Sequence, residues 1–389
     1  MKVIAVDPLC QAPFYAQYLC TALANRGIQV ELWTREPLYL KGYFSKRSFP
    51  VRKMARVSQI LFGEYGFFSK LFKYVELVAV DLPRLWIAGL RSDIVHVQWF
   101  SPMPVMIFER CTYRLLQLSG VKVIHTVHNV YPHGELHRNH RRWQKAYAMF
   151  DALAVTTEYG RRMLSERFDQ LPRKIDLIPH GPFLHDVPHP TKDEAKLRIG
   201  VDASAAVVLL QGFINEYKGI EFLVSAFERI VKDHPSTVLV LAGTGKQDYI
   251  DHVSAHLRTS RIPARNIKTR FEYIPLEELP FYYSAADIVA LPYKHIYQSA
   301  TLFTALSFGK AVVASRLGGF TEVIRDGENG RFVDYGDVSA LTIALEELLA
   351  SREVRERLGQ KGRETVLNEF AWKLIAAKTE DLYQAGTGM

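Results

Sequence analysis

The stretch HIYQSATLFTALSFGKAVVAS (residues 295–315) contains the pattern that decides the fold class. It predicts a loop, a short helix that begins just after Ser299 and ends at Gly309, and a buried strand in KAVVAS. The apolar run DIVALPY (287–293) precedes it, so that a strand, a helix and a second strand follow one another. Apolar strands joined by helices form parallel sheets that are covered on both faces.

The same alternation of short apolar runs and helix-length segments extends over the chain of 389 residues. KVIAVD, IVHVQW and VKVIHTVH are such runs in the first half, and AVVLLQGFI, TVLVLAGT and GRFV are such runs in the second half. The Pro- and His-rich stretch near 182–191 interrupts the pattern and predicts a linker. We therefore predict an α/β protein of two Rossmann-like, doubly wound domains, with ligands bound at the carboxyl ends of the strands.

Composition favours a globular protein of a reducing compartment. The chain is 48% hydrophobic and 23% charged, and its three cysteines (Cys10, Cys20 and Cys111) lack the spacing of a disulfide scaffold. The N-terminal MKVIAVD meets Asp7 too early for a signal peptide. No apolar run reaches the roughly 20 residues that a membrane-spanning helix needs. These features predict a cytoplasmic location.

Positive charge is concentrated in one segment of the first half. Residues 35–91 contain 11 Lys or Arg and 4 acidic residues, and they include the aromatic stretch QILFGEYGFFSKLFKYVELV. Such a segment suits an anionic membrane surface, an ordinary surface helix or a nucleic acid. We favour the membrane surface, because basic amphipathic helices suit an interface best.

Lys218 and Gly219 lie between an apolar strand and an amphipathic helix in QGFINEYKGIEFLVSAF (211–227). A cation at this place faces the crevice at the strand ends, and phosphate sites use the same strand–loop–helix context. We therefore expect Lys218 to contact an anionic ligand. The alternative is a lysine on a solvated helix start.

The helix after Ser299 begins without a charged residue. If Ser299 is the N-cap, the free N–H groups of Ala300, Thr301 and Leu302 point into the crevice, and the helix end carries partial positive charge. Such an end binds an anion without a charged side chain. An ordinary capped helix explains this pattern when it is taken alone, but next to Lys218 it predicts an anion site.

Five histidines occur in HTVHNVYPHGELHRNH (125–140). A metal cluster is not favoured, because His125 and His128 are three apart on a predicted strand and point to opposite faces. His128 and Asn129 instead lie where the strand ends, which predicts a role at the crevice.

Several other sites are not expected. AGTGKQD does not meet the spacing of a phosphate-binding P-loop, and no G-x-G-x-x-G follows the first strand, as a nicotinamide dehydrogenase requires. No D-x-D triplet follows a strand. We therefore predict no metal site and no cofactor.

Several motifs together resemble a known family. GFINEYKGIEFLVSAF, VLAGTGK, FEYIPLEELPFYYSAADIVALPY and QSATLFTALSFGKAVVASRLGGFTEVIRDGENGRFV resemble family 4 of the retaining, nucleotide-sugar-dependent glycosyltransferases, which have the GT-B fold. IPHG (178–181) resembles the interdomain turn of that family, and TVHNVYPH resembles its strand-end histidine motif. The resemblance spans nearly the whole chain and is strongest from about 200 to 335.

The resemblance implies two Rossmann-like domains that face a central cleft. The acceptor-binding domain would comprise residues 1–185 and a returning helix at 370–389, and the donor-binding domain would comprise 190–369. Lys218 and His128 would act in catalysis. The implied donor-binding residues are Asn215, Lys218, Gly245, Tyr273, Ile274, Ser299, Ala300, Thr301 and Thr304. The implied acceptor or cleft residues are Asn129, His133, His180 and Gly181.

The chain also departs from the family pattern. Many members carry two glutamates, eight positions apart, around the helix of the second domain, and Ile296 and Thr304 stand in their places here. Thr304 can still hydrogen-bond a ribose hydroxyl, but Ile296 cannot replace a carboxylate. Phe213 replaces the usual arginine five residues before Lys218, and PLCQAPF (8–14) replaces a glycine-rich loop. The chain resembles a branch with a Gln-Ser-small loop, or it is impaired.

These features predict a metal-independent hexosyltransferase that moves a sugar, with retention, from a UDP- or GDP-linked donor to an acceptor hydroxyl. The basic aromatic segment predicts an acceptor at the inner face of the plasma membrane, a polyprenyl-diphosphate-linked saccharide of surface polysaccharide assembly. One alternative is a non-catalytic partner protein that binds nucleotide sugars or membranes. Others are an epimerase or phosphorylase on a similar scaffold, and a nucleic-acid binder, for which we find no base-reading element.

Overall fold

The structure is a computed structural model that describes residues 1–37, 40, 43–44, 48–55, 67–101, 105–131, 140–172 and 174–387. Its internal contacts divide the chain into two compact units. Unit 1 comprises Met1–His180 and Trp372–Met389, and unit 2 comprises Gly181–Ala371. The stretch near 182–191, which we predicted as a linker, is therefore part of unit 2.

Each unit is built around one parallel sheet. The strands of unit 1 are β1 Lys2–Asp7, β2 Gln29–Thr34, β3 Val51–Lys53, β4 Ile94–Val97, β5 Lys122–Val127, β6 Ala152–Val155 and β7 Lys174–Leu177. The strands of unit 2 are β8 Val207–Gln211, β9 Val238–Ala242, β10 Ile267–Arg270, β11 Ile288–Leu291, β12 Ala311–Ser315 and β13 Arg331–Val333.

Helices lie between most of the strands. In chain order they are α1 Pro13–Asn25, α2 Phe67–Glu76, α3 Leu82–Gly89, α4 Met106–Leu118, α5 His140–Tyr147, α6 Glu158–Arg167, α7 Lys192–Ile199, α8 Ile220–Asp233, α9 Gln247–Thr259, α10 Leu279–Ala285, α11 Ala300–Ser307, α12 Val338–Ala350, α13 Arg352–Asn368 and α14 Trp372–Thr387. A π-helical turn, Leu77–Asp81, connects α2 to α3. Helix α14 packs against α1 and so completes unit 1.

The strand order confirms the predicted doubly wound α/β fold. It is β3-β2-β1-β4-β5-β6-β7 in unit 1 and β10-β9-β8-β11-β12-β13 in unit 2, and all pairs are parallel. In both sheets the order reverses next to the first strand, between β1 and β4 and between β8 and β11. Ligands of open α/β sheets bind at this switch point, at the carboxyl ends of the strands.

The central strands have no alternation of buried and exposed residues because helices cover both faces of each sheet. β9, β11 and β12 are buried at every position. The edge strand β3 was not predicted, since it has only three residues and two of them, Arg52 and Lys53, are exposed. Short, basic edge strands are a common protection against wrong strand pairing. Within the described residues, no helix has the length and apolarity to span a membrane.

Candidate functional site

In unit 2, the loop after β8 brings Lys218 to the switch point. Asn215 begins a 3-10 turn, Glu216–Lys218, and its side chain accepts a hydrogen bond from the amide of Tyr217 at 3.5 Å. Gly219 follows in a left-handed conformation (φ +65°), and a Cβ atom there would lie 1.9 Å from the carbonyl oxygen of Pro292, in the loop after β11. Only glycine therefore permits the loops after β8 and β11 to pack this closely.

The Lys218 side chain is buried, with 4% of its surface exposed. Its ammonium group donates a hydrogen bond to the hydroxyl of Tyr293 at 2.5 Å and lies 4.2 Å from the centre of that ring. Burial lowers the pKa of Lys218 and raises that of Tyr293. Within the described residues no carboxylate forms an ion pair with Lys218, so its positive charge is directed to the switch point without a fixed counter-ion.

A small space above Gly212 separates Lys218 from the start of α11. A Cβ atom on Gly212 would lie 3.1 Å from the Lys218 ammonium nitrogen and 3.3 Å from the Thr301 hydroxyl oxygen. Gly212 also has a φ of +125°, which side-chain-bearing residues rarely adopt. The ammonium of Lys218 and the hydroxyl of Thr301 thus lie close to each other beside Gly212, with too little room between them for a side chain on residue 212.

Ser299 is the N-cap of α11, as predicted. Its hydroxyl oxygen accepts from the amide of Leu302 at 3.3 Å. The prediction that Leu302 offers a free N–H is therefore wrong, because an N-cap side chain occupies that donor. Among the described residues, no acceptor pairs with the amides of Ala300 or Thr301, which remain the donors of this helix end.

The two positions that lack the family's glutamates are both buried. Ile296 has 5% and Thr304 has 6% of its surface exposed. The Thr304 hydroxyl donates to the carbonyl of Ala300 within its own helix at 2.9 Å, so only its acceptor lone pairs remain for a ligand. Phe213 is 46% exposed and replaces the arginine with an apolar side chain.

The other predicted donor residues surround the same edge of the sheet. Gly245 pairs with Ile214 in a bridge between the loops after β8 and β9, and a Cβ atom on Gly245 would lie 2.3 Å from the Ile214 carbonyl oxygen. Tyr273 and Ile274 follow β10, where Tyr273 is half-buried and Ile274 is buried.

In unit 1, the carboxyl ends of β4 and β5 form an aromatic cluster around His128. The imidazole stacks on Trp99 at 5.3 Å between ring centres, and it meets Tyr15 edge-on at 4.8 Å and His180 at 5.7 Å. Burial, with neighbouring histidines adding to it, holds the pKa of His128 well below its usual range. His128 is thus neutral at pH 7 and can donate or accept a hydrogen bond.

Gln98 contacts the candidate residue His128, and sequence reasoning missed it. It follows β4, is fully buried, and its Oε1 accepts from His128 Nε2 at 3.4 Å. Its Nε2 has no acceptor among the described residues, which leaves a buried donor beside the imidazole. The only signal in the sequence was a polar residue directly after the strand IVHV (94–97).

The loop that replaces the family's glycine-rich loop is held by another residue that we did not predict. Asp7 ends β1, and its carboxylate accepts from the amides of Gln11 at 3.0 Å and Ala12 at 2.9 Å. Cys10, in the same loop, has a φ of +53°. Burial raises the pKa of Asp7 to about 6 in spite of these hydrogen bonds.

The remaining predicted residues are distributed unevenly. Asn129 follows His128, and its carbonyl accepts from the Tyr147 hydroxyl at 3.3 Å. His180 belongs to unit 1, whereas Gly181 begins unit 2. His133 lies outside the described residues. No group of three His, Cys, Asp or Glu side chains that could hold a metal ion occurs in the described ranges.

These features permit a specific kind of chemistry at each site. In unit 2, an ammonium, a hydroxyl and a helix amino end can hold an anionic group through charge and directed hydrogen bonds. In unit 1, a neutral imidazole in an aromatic setting can hydrogen-bond a hydroxyl while rings cover its apolar faces.

Comparisons with known proteins find a matching family model for each unit. Residues 205–351 match the family model described as glycosyl transferases group 1, and residues 13–182 match the model described as glycosyltransferase family 4. The chain is 26% identical over 388 residues to the D-inositol 3-phosphate glycosyltransferase of Corynebacterium efficiens, covering 94% of this chain and 88% of that protein. The protein of the same name from Corynebacterium diphtheriae is also 26% identical, over 390 residues, covering 95% and 88%.

Solved structures share the fold at low identity. Sucrose-phosphate synthase from Thermosynechococcus elongatus superposes with a TM-score of 0.77 and 22% identity, covering 99% of both chains. Anabaena Alr3699/HepE, solved in complex with UDP-glucose, superposes with a TM-score of 0.77 and 14% identity, covering 100% of both chains. These likenesses show the fold.

Proposed function

The chain belongs to the group 1, family 4 glycosyltransferases of the GT-B fold, and on that basis we propose that it transfers a hexose, with retention, from a nucleotide-sugar donor bound by unit 2. The observation that carries the donor site is the convergence of the Lys218 ammonium and the Thr301 hydroxyl on the space above Gly212. This space lies at the switch point, where open α/β sheets bind nucleotides.

The donor diphosphate would be held by Lys218, Thr301 and the amides of Ala300 and Thr301. When the glycosidic bond to the diphosphate breaks, negative charge grows on the leaving oxygen, and donors fixed in advance stabilise it. One well-placed donor of this kind typically contributes about 3–4 kcal/mol to transition-state stabilisation. We propose that these groups supply the positive potential without a metal ion, and undiminished transfer in excess chelator is the expected result.

In unit 1, His128 would hydrogen-bond a sugar hydroxyl in its neutral form. A neutral imidazole can position a sugar hydroxyl, but its low pKa makes it a weak general base near pH 7. The acceptor proton would then pass to a donor phosphate oxygen.

The donor site is tested by calorimetric titration of UDP, GDP and their glucose and mannose conjugates into the wild type and Lys218→Ala. We expect one nucleotide class to bind selectively, UDP first because structural neighbours were solved with it, and the variant to lose at least tenfold in affinity. Lys232→Gln, an exposed lysine on α8, is the matched control for loss of one charge. Binding that is equal in all three proteins would contradict the proposal.

Enzymatic transfer is tested separately by following donor hydrolysis and product configuration by NMR. An α-linked donor that gives an α-linked product supports retention, and an inverted product refutes it. The non-catalytic alternative rests on Ile296 and Thr304, which are buried where many members carry carboxylates. Selective nucleotide binding with neither hydrolysis nor transfer would favour that alternative.

Unit 1 has a surface that suits an anionic membrane. Helices α2, α3 and α4 and their connections expose large apolar side chains, and α3 packs against α4. The exposed apolar residues are Leu71, Phe72, Val75, Val80, Trp86, Ile87, Leu90, Ile107, Phe108, Leu115 and Leu118. Sequence reasoning included only those before residue 91, and the structure adds α4. We call these eleven residues the apolar face.

The exposed charged side chains of α3 and α4, around the apolar face, are all positive. Arg84, Arg91, Arg110 and Arg114 are exposed, whereas the acidic residues of α2, the π-helical turn and α4 are buried. Those acids are Glu76, Asp81 and Glu109. These elements expose apolar side chains and arginines but no acid, which suits binding to anionic lipid. Each basic residue near such a membrane surface contributes about 1 kcal/mol of attraction.

We therefore propose peripheral attachment at the inner, anionic face of the plasma membrane and a lipid-linked saccharide acceptor. Flotation with anionic vesicles at low salt is expected to recover the wild type, and Ile87→Ser/Leu118→Ser to reduce recovery several-fold. Leu197→Ser, an exposed leucine of unit 2, is the matched control. Failure of the wild type to bind would refute attachment. Transfer to D-inositol 3-phosphate but not to a polyprenyl-diphosphate saccharide would refute the acceptor.

A further inference from the structure

A cavity of unit 2 lies at the opposite ends of the sheet strands from Lys218. Ala206, Asp287 and Ala311 line it, and these residues precede or begin β8, β11 and β12. Because these strands are parallel, the cavity is at their amino ends. β8 has five residues, so its amino and carboxyl ends are about 16 Å apart. The cavity volume is about 390 Å³, within the range of small-molecule sites.

The lining of this amino-edge cavity is strongly basic. It contains five cationic side chains and two carboxylates, Asp287 and Glu356, which leaves three positive charges in excess. The cationic residues are Lys192, Lys196, Lys310, Arg352 and Arg355. Such an excess in a concave site attracts anions.

The carboxylate of Asp287 already contacts two cations and a backbone amide. It accepts from Lys192 Nζ at 2.5 Å and from the amide of Val207 at 3.0 Å, and it lies 3.5 Å from Arg355 Nη2. One carboxylate therefore serves two cations and the start of β8. Among the described residues, Lys196 and Lys310 form no ion pair with it, although its charge favours their protonated forms.

Two of the lysines have neutral hydrogen-bond partners. The Lys196 ammonium donates to the carbonyl of Ala203 at 2.6 Å, and the Lys310 ammonium donates to the carbonyl of Ser284 at 3.0 Å. Burial, together with repulsion from Lys192, lowers the pKa of Lys310 to about 8. A bound anion would offset both the burial of these ammonium groups and their repulsion by Lys192, because it supplies a negative charge that the neutral carbonyls do not.

Helix ends add to this potential. The first residues of α7 and α13, Lys192 and Arg352, both line the cavity, so the amino ends of two helices, which carry partial positive charge, lie beside it. The carboxyl end of α11 also reaches the cavity, through Gly309 and Lys310. The Lys310 ammonium donates to the carbonyl of Ser284, in the last turn of α10, and so offsets the negative charge of that helix end.

We propose that the amino-edge cavity of unit 2 binds a small phosphate-bearing anion with at least two negative charges, at a site separate from the nucleotide-sugar donor. Arg352 and Lys192, whose side chains are the most exposed of the ion-paired cations in the cavity, would contact the anion first. Lys196 and Lys310 would form the floor. The site stands independently of the proposed transferase activity.

The test titrates inorganic pyrophosphate by calorimetry into the full chain carrying Lys218→Ala, which suppresses binding at the donor site. One pyrophosphate is expected to bind. Adding Lys192→Gln/Arg352→Gln is expected to weaken that binding at least tenfold. Both side chains are exposed, Asp287 keeps its contact with Arg355, and circular dichroism checks that the variant is folded. The matched control adds Lys232→Gln/Lys361→Gln, which removes the same charge from exposed positions and is expected to change the affinity less than twofold.

Either of two results would overturn the proposal. One is the absence of pyrophosphate binding in the Lys218→Ala protein, and the other is an equal loss in the cavity variant and the control. If circular dichroism shows that Lys218→Ala is unfolded, the wild type replaces it as the background. The number of pyrophosphate sites must then fall by one in Lys192→Gln/Arg352→Gln and stay unchanged in the control. Glucose 6-phosphate in place of pyrophosphate distinguishes a phosphate ester from the free anion.

Discussion

The ammonium group of Lys218 and the hydroxyl of Tyr293, 75 positions apart in the chain, form a hydrogen bond of 2.5 Å. This bond joins the loops after β8 and β11, the two strands between which the sheet order reverses. The aromatic ring lies under the same ammonium at 4.2 Å. The buried cation Lys218 of the proposed donor site is thus oriented by an uncharged partner, which leaves its charge for a ligand.

Tyr293→Phe is expected to weaken nucleotide binding moderately. The variant loses one hydrogen bond, worth about 1 kcal/mol or roughly fivefold in affinity, but keeps the aromatic ring beneath Lys218. Calorimetry with the nucleotide that binds the wild type measures the effect. A loss as large as that of Lys218→Ala would show that the hydroxyl itself, rather than the cation, makes the important contact.

Gly212→Ala is expected to abolish nucleotide binding. The new methyl group would occupy the space between the Lys218 ammonium and the Thr301 hydroxyl, at 3.1 and 3.3 Å from these atoms. Gly336→Ala is the matched control, because Gly336 also has a positive φ (+95°) but has no atom within 4 Å of an added Cβ. Both variants incur backbone strain, seen in chemical denaturation, and only Gly212→Ala should lose the ligand.

His128 is expected to stay neutral at the pH at which a free histidine becomes protonated. Burial in the aromatic cluster lowers its pKa well below 6.5, and its Nε2–H donates to Gln98. Long-range nitrogen–proton correlation spectra of the imidazole should therefore show one neutral tautomer as the pH is lowered from 7.5 through 6.5.

Gln98→Leu provides the control for that tautomer. It removes the acceptor at Nε2, so we expect a mixture of the two neutral forms without protonation. Titration of wild-type His128 near pH 6.5 would contradict the structure of this cluster. An acidic limb of transfer activity near pH 6.5 would have to come from a different group.

His96 is expected to make unit 1 sensitive to acid. Its Nδ1 and Nε2 lie 2.6 Å from the Tyr383 hydroxyl and 2.7 Å from the Thr126 hydroxyl, and burial lowers its pKa to about 3. The unfolded chain, with a histidine pKa of about 6.5, binds a proton between pH 6.5 and 3 that the folded chain does not. The free energy of unfolding therefore falls as pH falls through this range.

The measurement is the pH dependence of chemical denaturation in the wild type and His96→Asn. The variant should start less stable at pH 7.5, and the difference between the two proteins should shrink by about 1.4 kcal/mol per pH unit below pH 6. Because only the change with pH is compared, the lower stability of the variant does not affect the result. Parallel curves would show that His96 titrates normally.

The sequence was sufficient for the fold and for the place of several site residues along the chain. Uninterrupted apolar runs separated by helical segments require parallel sheets covered on both faces, and both sheets have that form. Each of three candidate residues lies within a few positions of a regular element: His128 follows β5, Ser299 precedes α11, and Lys218 lies between β8 and α8. Local patterns therefore placed them at the carboxyl ends of strands. The edge strand β3 was missed, because three residues in a basic segment carry almost no periodic signal.

Only the tertiary structure decided which side chains meet. Tyr293 at Lys218 and Gln98 at His128 are contacts between strands whose neighbours depend on the order of the sheet, and a local pattern contains no information on that order. The capping of Leu302, the burial of Glu76, Asp81 and Glu109 and the basic cavity at the amino edge have the same origin. Hydrophobic periodicity determines the elements, because it acts over neighbouring residues, whereas the charge and shape of a site arise from segments that only packing brings together.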